Sequence, residues 1–170
     1  MNKIKEILKS KKVLSLLFIL VAVTYFLVLC RGLLFKYVRP WEVFSDERYF
    51  YTGYNLVPFN GSGLDFRIDL IINTILFMPF GFMISMKSKH NIKSFLYLLI
   101  PLASSFIFEF TQYLFKLGAA DVTDIIMNTV GSLIGFAVYY VWFKLMGNKA
   151  DRIIVYLMST VAVIELLLMY

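Results

Sequence analysis

The sequence predicts an all-α integral membrane protein, a bundle of about five transmembrane helices with the N-terminus cytoplasmic and the C-terminus outside. Its 170 residues are 60% hydrophobic and 18% aromatic, with a mean hydropathy of +0.76. A soluble domain of that length could not hide so much apolar surface, whereas a bilayer-embedded one need not. Five apolar segments each approach the ~20 residues that cross a hydrocarbon core. The basic residues divide unequally between the two ends of those segments.

The elements follow in order along the chain. Ile4, Ile7 and Leu8 lie at helical spacing among Lys3, Lys5, Lys9, Lys11 and Lys12, which fits a short interfacial helix leading into the first span. Span 1, roughly Val13–Phe35, exceeds a signal-peptide h-region of ~7–15 residues and is followed by no small-x-small cleavage site, so it reads as retained. Cys30, within it, is the only cysteine and rules out a disulfide framework. The one long connection runs from about Lys36 to Arg67 outside the membrane. Its Trp41, Tyr49, Phe50, Tyr51 and Tyr54 fit an interfacial aromatic belt better than a ligand grip.

Span 2, roughly Ile68–Met86, contains Met78-Pro79-Phe80-Gly81. Pro79 removes a helical hydrogen bond and Gly81 loosens the next turn, which predicts a kink. Span 3, roughly Ser94–Leu117, carries Pro101 near its cytoplasmic end. A short Gly118–Asp121 turn leads to span 4, roughly Val122–Leu145. There Gly131 and Gly135 form a Gly-x-x-x-Gly pair suited to close helix approach. Span 5 covers roughly Ile153–Tyr170. Five spans leave little room for a soluble domain, so residues 1–170 read as a single membrane domain.

Lys3, Lys5, Lys9, Lys11, Lys12, Lys87, Lys89, Lys93, Lys144, Lys149 and Arg152 fall on one side of the bilayer. Arg31, Lys36, Arg39, Arg48, Arg67 and Lys116 fall on the other, eleven against six, which makes the first side cytoplasmic. Glu42, Asp46, Glu47, Asp65, Asp69, Asp121 and Asp124 then lie at or near the outer face. The net charge of +6 is explained by this topology and by anionic lipid head groups, with no nucleic acid required.

Polar side chains interrupt three of the spans. Asp69 and Asn73 lie on span 2, Glu109 and Gln112 on span 3, and Asp124 and Asn128 on span 4, with Asp121 at its start. An ionisable group at mid-span costs at least ~2.5–3.5 kcal/mol, so such groups face a bundle interior or a cavity. Helical spacing sets Ser105, Glu109, Gln112 and Lys116 on one stripe, and Asp121, Asp124, Asn128, Gly131 and Gly135 on another. Capping accounts for Asp121, accounts less well for Asp124, and fails for Asn128 about two turns in. A purely structural network would glue the spans at only ~0.6 kcal/mol per bond, a small return for a buried Glu. Asn73, Glu109, Gln112, Asp124 and Asn128 are therefore the candidate ligand-binding residues, in a polar cavity between spans 2, 3 and 4. Pro79, Gly81, Gly131 and Gly135 are the candidate structural residues.

Two stretches carry a family resemblance. Asn55-Leu56-Val57-Pro58-Phe59 and Asn73-Thr74-Ile75-Leu76-Phe77-Met78-Pro79-Phe80-Gly81 resemble the opening signature of the VanZ-like membrane family. Glu109-Phe110-Thr111-Gln112 and Asp121-Val122-Thr123-Asp124-Ile125-Ile126-Met127-Asn128-Thr129-Val130-Gly131 resemble its second half, with order and spacing kept over about 55–135. The family takes its name from a teicoplanin-resistance protein of Gram-positive glycopeptide-resistance clusters. The resemblance implies a multi-pass protein of the bacterial plasma membrane, acting at the cell envelope, and lower susceptibility to teicoplanin and other lipoglycopeptide antibiotics. Many relatives carry an Arg shortly before the Asp-x-x-Asp, where this chain has Gly118-Ala119-Ala120. Its absence fits the antibiotic-resistance branch. It also leaves Arg31, Arg67 or Lys116 to serve as counter-ion for Glu109, Asp121 and Asp124, or leaves some carboxyls protonated.

Two functions compete. A non-enzymatic protein could bind or shield at the outer leaflet, taking as partners membrane lipids and either the acyl anchor of a lipoglycopeptide or a lipid-linked cell-wall precursor. Alternatively, an intramembrane enzyme could act on a lipid-linked precursor or lipid diphosphate through Glu109, Asp121 and Asp124, with a divalent cation such as Mg²⁺ or Ca²⁺ as its one possible cofactor. The first is favoured because the only His, His90, falls in a cytoplasmic loop and no Ser-His, Cys-His or His-rich metal pattern exists. A transporter or flippase has less support, since no inverted repeat is visible.

Overall fold

Long apolar runs with few internal breaks propagate as helix, and the computed structural model describes residues 10–36, 39–43, 53–88 and 96–168. The expectations for Ile4, Ile7, Leu8, Tyr49, Phe50, Tyr51 and His90, and for Lys3, Lys5, Lys9, Arg48, Lys89 and Lys93, lie outside the described residues. Five helices form among those described: α1 (Lys11–Leu34), α2 (Gly63–Lys87), α3 (Leu99–Leu114), α4 (Val122–Met146) and α5 (Ala150–Leu168). Three of them, α1, α2 and α4, are long and apolar enough to cross a membrane.

Helix α3 is shorter than the expected Ser94–Leu117. Its 16 residues span ~24 Å at ~1.5 Å per residue, less than a ~30 Å hydrocarbon core. Both ends have a physical cause. Residues 96–98 form a 3₁₀ turn, and Pro101 falls in the first turn of α3, where its missing N–H leaves no intrahelical bond to lose. Pro101 marks a helix start rather than a kink. At the other end, Leu117 N–H donates to the Gln112 carbonyl at 2.9 Å and Lys116 N–H to the Tyr113 carbonyl at 3.3 Å. Lys116 sits at φ +54°, so this is a Schellman stop with Lys in the left-handed position that Gly usually fills. Helix α2 begins earlier than expected, at Gly63, with Asp65 in its first turn facing the positive helix end. It continues without a break through Pro79.

The chain forms two compact units, Met1–Val28 with Trp142–Tyr170, and Leu29–Val141. In the first, α4 ends at Met146, Gly147 turns the chain with φ +56°, and the 3₁₀ turn Gly147–Lys149 leads into α5, whose Ala150 and Val155 are buried.

The second unit carries the candidate site, and its polarity is inverted relative to a soluble domain. Asn73, Ser85, Ser105, Glu109, Gln112, Thr123, Asn128 and Ser132 are buried. Ile71, Ile72 and Ile75 of α2, Phe106, Ile107 and Phe110 of α3, and Val138 and Val141 of α4 are exposed. An apolar exterior around a polar interior is the arrangement that a lipid environment favours.

Small residues let two backbones meet inside this unit. A Cβ placed on Gly131 would fall on the Thr74 carbonyl oxygen, one on Gly135 on that of Met78, and one on Gly81 on that of Ser132. Matching Thr74 with Gly131 and Met78 with Gly135 makes α2 and α4 parallel neighbours. Strand β1 (Gly53–Asn55), ahead of α2, pairs in parallel with β2 (Ala119–Asp121), ahead of α4, with Gly53 opposite Ala119 and Asn55 opposite Asp121. This small sheet departs from the all-α expectation. Two helices running side by side in one direction bring their leading segments together, and pairing satisfies backbone groups that a lipid-facing loop would leave bare.

Candidate functional site

Each strand ends on a short side chain that folds back onto the turn after it. The Asn55 Oδ1 accepts the Val57 N–H at 3.1 Å, and the Asp121 Oδ1 accepts the Thr123 N–H at 2.7 Å. The second of these satisfies one of the four orphan donors of α4. The paired ends also bond each other, Asn55 Nδ2 donating to Asp121 Oδ2 at 3.0 Å. Both Asp121 oxygens therefore accept N–H groups. Phe59 N–H donates to Thr123 Oγ1 at 3.0 Å, holding Phe59 at φ +57°, a left-handed conformation that costs a residue with a Cβ ~1–2 kcal/mol.

Glu109 reaches the same place from α3. It is 3% exposed, and its Oε2 accepts the Asp121 backbone N–H at 2.9 Å. Lys36, just beyond α1, pairs with Asp69 of α2 at 2.7 Å and lies within Coulombic reach of Glu109 and Asp124. The expected counter-ions were Arg31, Arg67 or Lys116; the structure puts Lys36 in that position. Asn73, 5% exposed, faces the Asp124 carboxyl across the α2–α4 seam, although its Nδ2 closes no hydrogen bond of good geometry.

The remaining predicted residues hold helices together. Gln112 Nε2 donates to the Leu33 carbonyl at 2.7 Å, capping one of the last carbonyls of α1. Asn128 Nδ2 donates to Ser105 Oγ at 2.8 Å, tying α4 to α3. Ser132 Oγ lies 3.3 Å from the Phe77 carbonyl and 3.1 Å from that of Asn128. Gln112 Oε1 and Asn128 Oδ1 are buried without a hydrogen bond.

An open groove of about 550 Å³ lies against this cluster, lined by Tyr54, Leu56, Phe106, Glu109, Phe110, Tyr113, Ala120, Asp121, Val122 and Ile125. Its wall is almost wholly carbon. β1, α3, β2 and the start of α4 build it, and α2 supplies none of its lining. Of the predicted ligand-binding residues it meets Glu109; Asn73, Gln112, Asp124 and Asn128 lie elsewhere in the polar interior. Among the described residues, no group of three or more His, Cys, Asp or Glu is placed to hold a metal ion.

Asn55, Thr123 and Lys36 were absent from the sequence-predicted site. No local signal marks Thr123, because the Asp121 cap uses only its backbone N–H and its hydroxyl meets the distant Phe59 N–H. For Asn55 the cue is its place at the head of Asn55-Leu56-Val57-Pro58-Phe59. No local signal points to Lys36, whose partners are distant in sequence.

Fold and site together define a small helical protein of membrane type, with a polar interior and an acidic cluster tied to a parallel strand pair. The chain matches the VanZ/LLP1 family over residues 21–144. It is 34% identical over 156 residues to Protein VanZ of Enterococcus faecium, an alignment covering 84% of this chain and 92% of that protein. The chain belongs to the VanZ/LLP1 family. No solved structure gives a significant match.

Proposed function

We propose that the protein is a multi-pass component of a Gram-positive plasma membrane that lowers susceptibility to teicoplanin and related lipoglycopeptides through non-enzymatic binding at the outer leaflet. The observation that carries this reading is the carbon-walled groove beside Glu109, in a chain 34% identical to Protein VanZ. Teicoplanin differs from vancomycin by an acyl chain, and a groove at membrane depth can compete for such a chain. The arrangement of Asp121 weighs against catalysis. Both its oxygens are engaged by Asn55 and Thr123, which suits a structural acceptor better than an acid, base or metal ligand.

In this reading five spans cross the membrane, the N-terminus is cytoplasmic, and the strand pair lies outside. The parallel run of α2 and α4 supports a crossing between them by the α3 segment, because both helices must then enter from the same face. Deletion should raise teicoplanin susceptibility and overexpression lower it, with vancomycin susceptibility changing less. Unchanged teicoplanin susceptibility in both would end the resistance reading. An Asn60→Cys variant should react with a membrane-impermeant maleimide in intact cells; protection there would invert the topology.

A further inference from the structure

We propose that the turn Leu56–Phe59 is a lipid-embedded anchor, which sinks its side chains among the acyl chains of the leaflet that the strand pair faces. Leu56, Val57 and Phe59 are 72%, 59% and 51% exposed, and Pro58 between them is exposed as well. Four consecutive apolar side chains turned away from the protein form a surface that water disfavours. The surrounding sequence agrees. Six of the thirteen residues from Lys36 to Arg48 are charged, whereas none of the sixteen from Tyr49 to Leu64 is.

The backbone of the turn separates lipid from the other surroundings. Asn55 Oδ1 accepts the Val57 N–H at 3.1 Å, Pro58 has no N–H, and Thr123 Oγ1 accepts the Phe59 N–H at 3.0 Å. A turn in water can leave such donors to water, and a protein partner can accept them. Lipid tails do neither, so at membrane depth every donor is met from within. Here the chain meets both, and holds Phe59 at φ +57° in doing so.

Its place in the fold fits as well. Leu56 lies in the groove lining with Phe106 and Phe110, two residues that α3 turns outward. The apolar exterior of α3 therefore continues across the groove onto the turn, and one medium covers both. Asn60, Gly61 and Ser62 then return the chain toward the head groups before α2 starts at Gly63. A groove flanked by this anchor opens sideways into the leaflet, so its occupant enters from lipid rather than from water. The inference rests on the topology proposed above for which leaflet is entered, and on the turn itself for the depth.

Spin labelling of the full chain in phosphatidylcholine–phosphatidylglycerol vesicles tests this. In a Cys30→Ser background, a nitroxide on Val57→Cys should collide often with oxygen, which concentrates in hydrocarbon, and rarely with a water-soluble nickel chelate. Its depth should be about 5–10 Å below the head groups. The same label on Asn60→Cys should meet the nickel chelate several-fold more often. Equal nickel accessibility at the two sites puts the turn in water and overturns the anchor. Low accessibility to both reagents at Val57 puts the turn against protein and overturns it equally. Val57 is more than half exposed and its variant keeps the backbone N–H, so helix content should match the parent. Val57→Trp in the otherwise native chain gives a second reading without a label. Its added emission should be quenched by lipids brominated in mid-chain, and emission that escapes quenching overturns the anchor. Depth is read without regard to side. A deep Val57 with an Asn60→Cys that impermeant maleimide cannot reach upholds the anchor and sinks the proposed topology. A shallow Val57 with a reachable Asn60→Cys sinks the anchor alone.

Discussion

Exchanging Asn55 and Asp121 should preserve the protein, whereas changing either one alone should destabilise it. Asn55 Nδ2 donates to Asp121 Oδ2 at 3.0 Å, while their other oxygens accept Val57 and Thr123 N–H groups at 3.1 and 2.7 Å. In Asp121→Asn, two amide nitrogens oppose each other. Flipping the new amide at position 121 abandons the α4 cap, and flipping that of Asn55 abandons the Val57 bond. A hydrogen bond to a charged acceptor contributes ~1.5–3 kcal/mol and a helix cap ~1 kcal/mol, so no flip escapes a loss of about 1–3 kcal/mol. Asn55→Asp sets two carboxylates face to face at the same distance and should cost at least as much.

The double variant restores the bond with its polarity reversed, leaves both turns capped, and should lie within about 1 kcal/mol of the parent. The coupling energy of the cycle is then about 2 kcal/mol or more. Thermal unfolding in micelles, followed by the fluorescence of Trp41 and Trp142, reads it out. At roughly 2–4 °C per kcal/mol for a chain of this size, each single variant should lose about 2–12 °C in Tm, most of which the exchange recovers. An exchange as unstable as the sum of the singles would refute the strand pairing on which the whole site is built.

Gly131→Leu and Gly135→Leu should each lower stability by about 1–3 kcal/mol or more, because the added carbons meet the backbones of Thr74 and Met78 rather than movable side chains. Gly32→Ala is the opposite case. Its Cβ would stand 3.5 Å from Leu76 Cδ1, an ordinary contact, so the helix-propensity gain of up to ~1 kcal/mol should appear as a higher Tm. Lys116→Gly should raise Tm as well, since Gly relieves a residue at φ +54° of a penalty of ~1–2 kcal/mol. Lys36→Met should cost less than ~1 kcal/mol in micelles, because the Lys36–Asp69 pair is about a third exposed, at 32% and 34%.

The sequence exposed what depends on neighbours within one helix and concealed what depends on meetings between segments. Ser105, Glu109 and Gln112 are spaced by four and three, and all three are buried on one face of α3. The α3 ends were less legible, because apolar residues at 96–98 and at Phe115 and Leu117 look like helix in hydropathy while Pro101 and the Schellman turn stop it. The strand pair was invisible. Gly53-Tyr54-Asn55 and Ala119-Ala120-Asp121 are too short for a β pattern, and a parallel pairing across 66 residues leaves no local trace.

That non-local pairing also changes what the acidic cluster is for. Taken helix by helix, Glu109, Asp121 and Asp124 look like three equivalent carboxyls awaiting a ligand. Together they divide. Asp121 is an acceptor for the strand pair and the α4 cap, Asp124 faces Asn73 in the interior, and Glu109 alone both anchors β2 and lines the groove. Gln112 and Asn128 divide off too, as a cap for α1 and a tie to α3. Of the five residues that the sequence offers as ligand-binding, Glu109 is the one that lines the groove, beside its aromatic wall. Substitutions at Asp121, Gln112 and Asn128 should act first on stability, whereas Glu109→Gln, which keeps the acceptor for the Asp121 N–H, should act first on ligand selection.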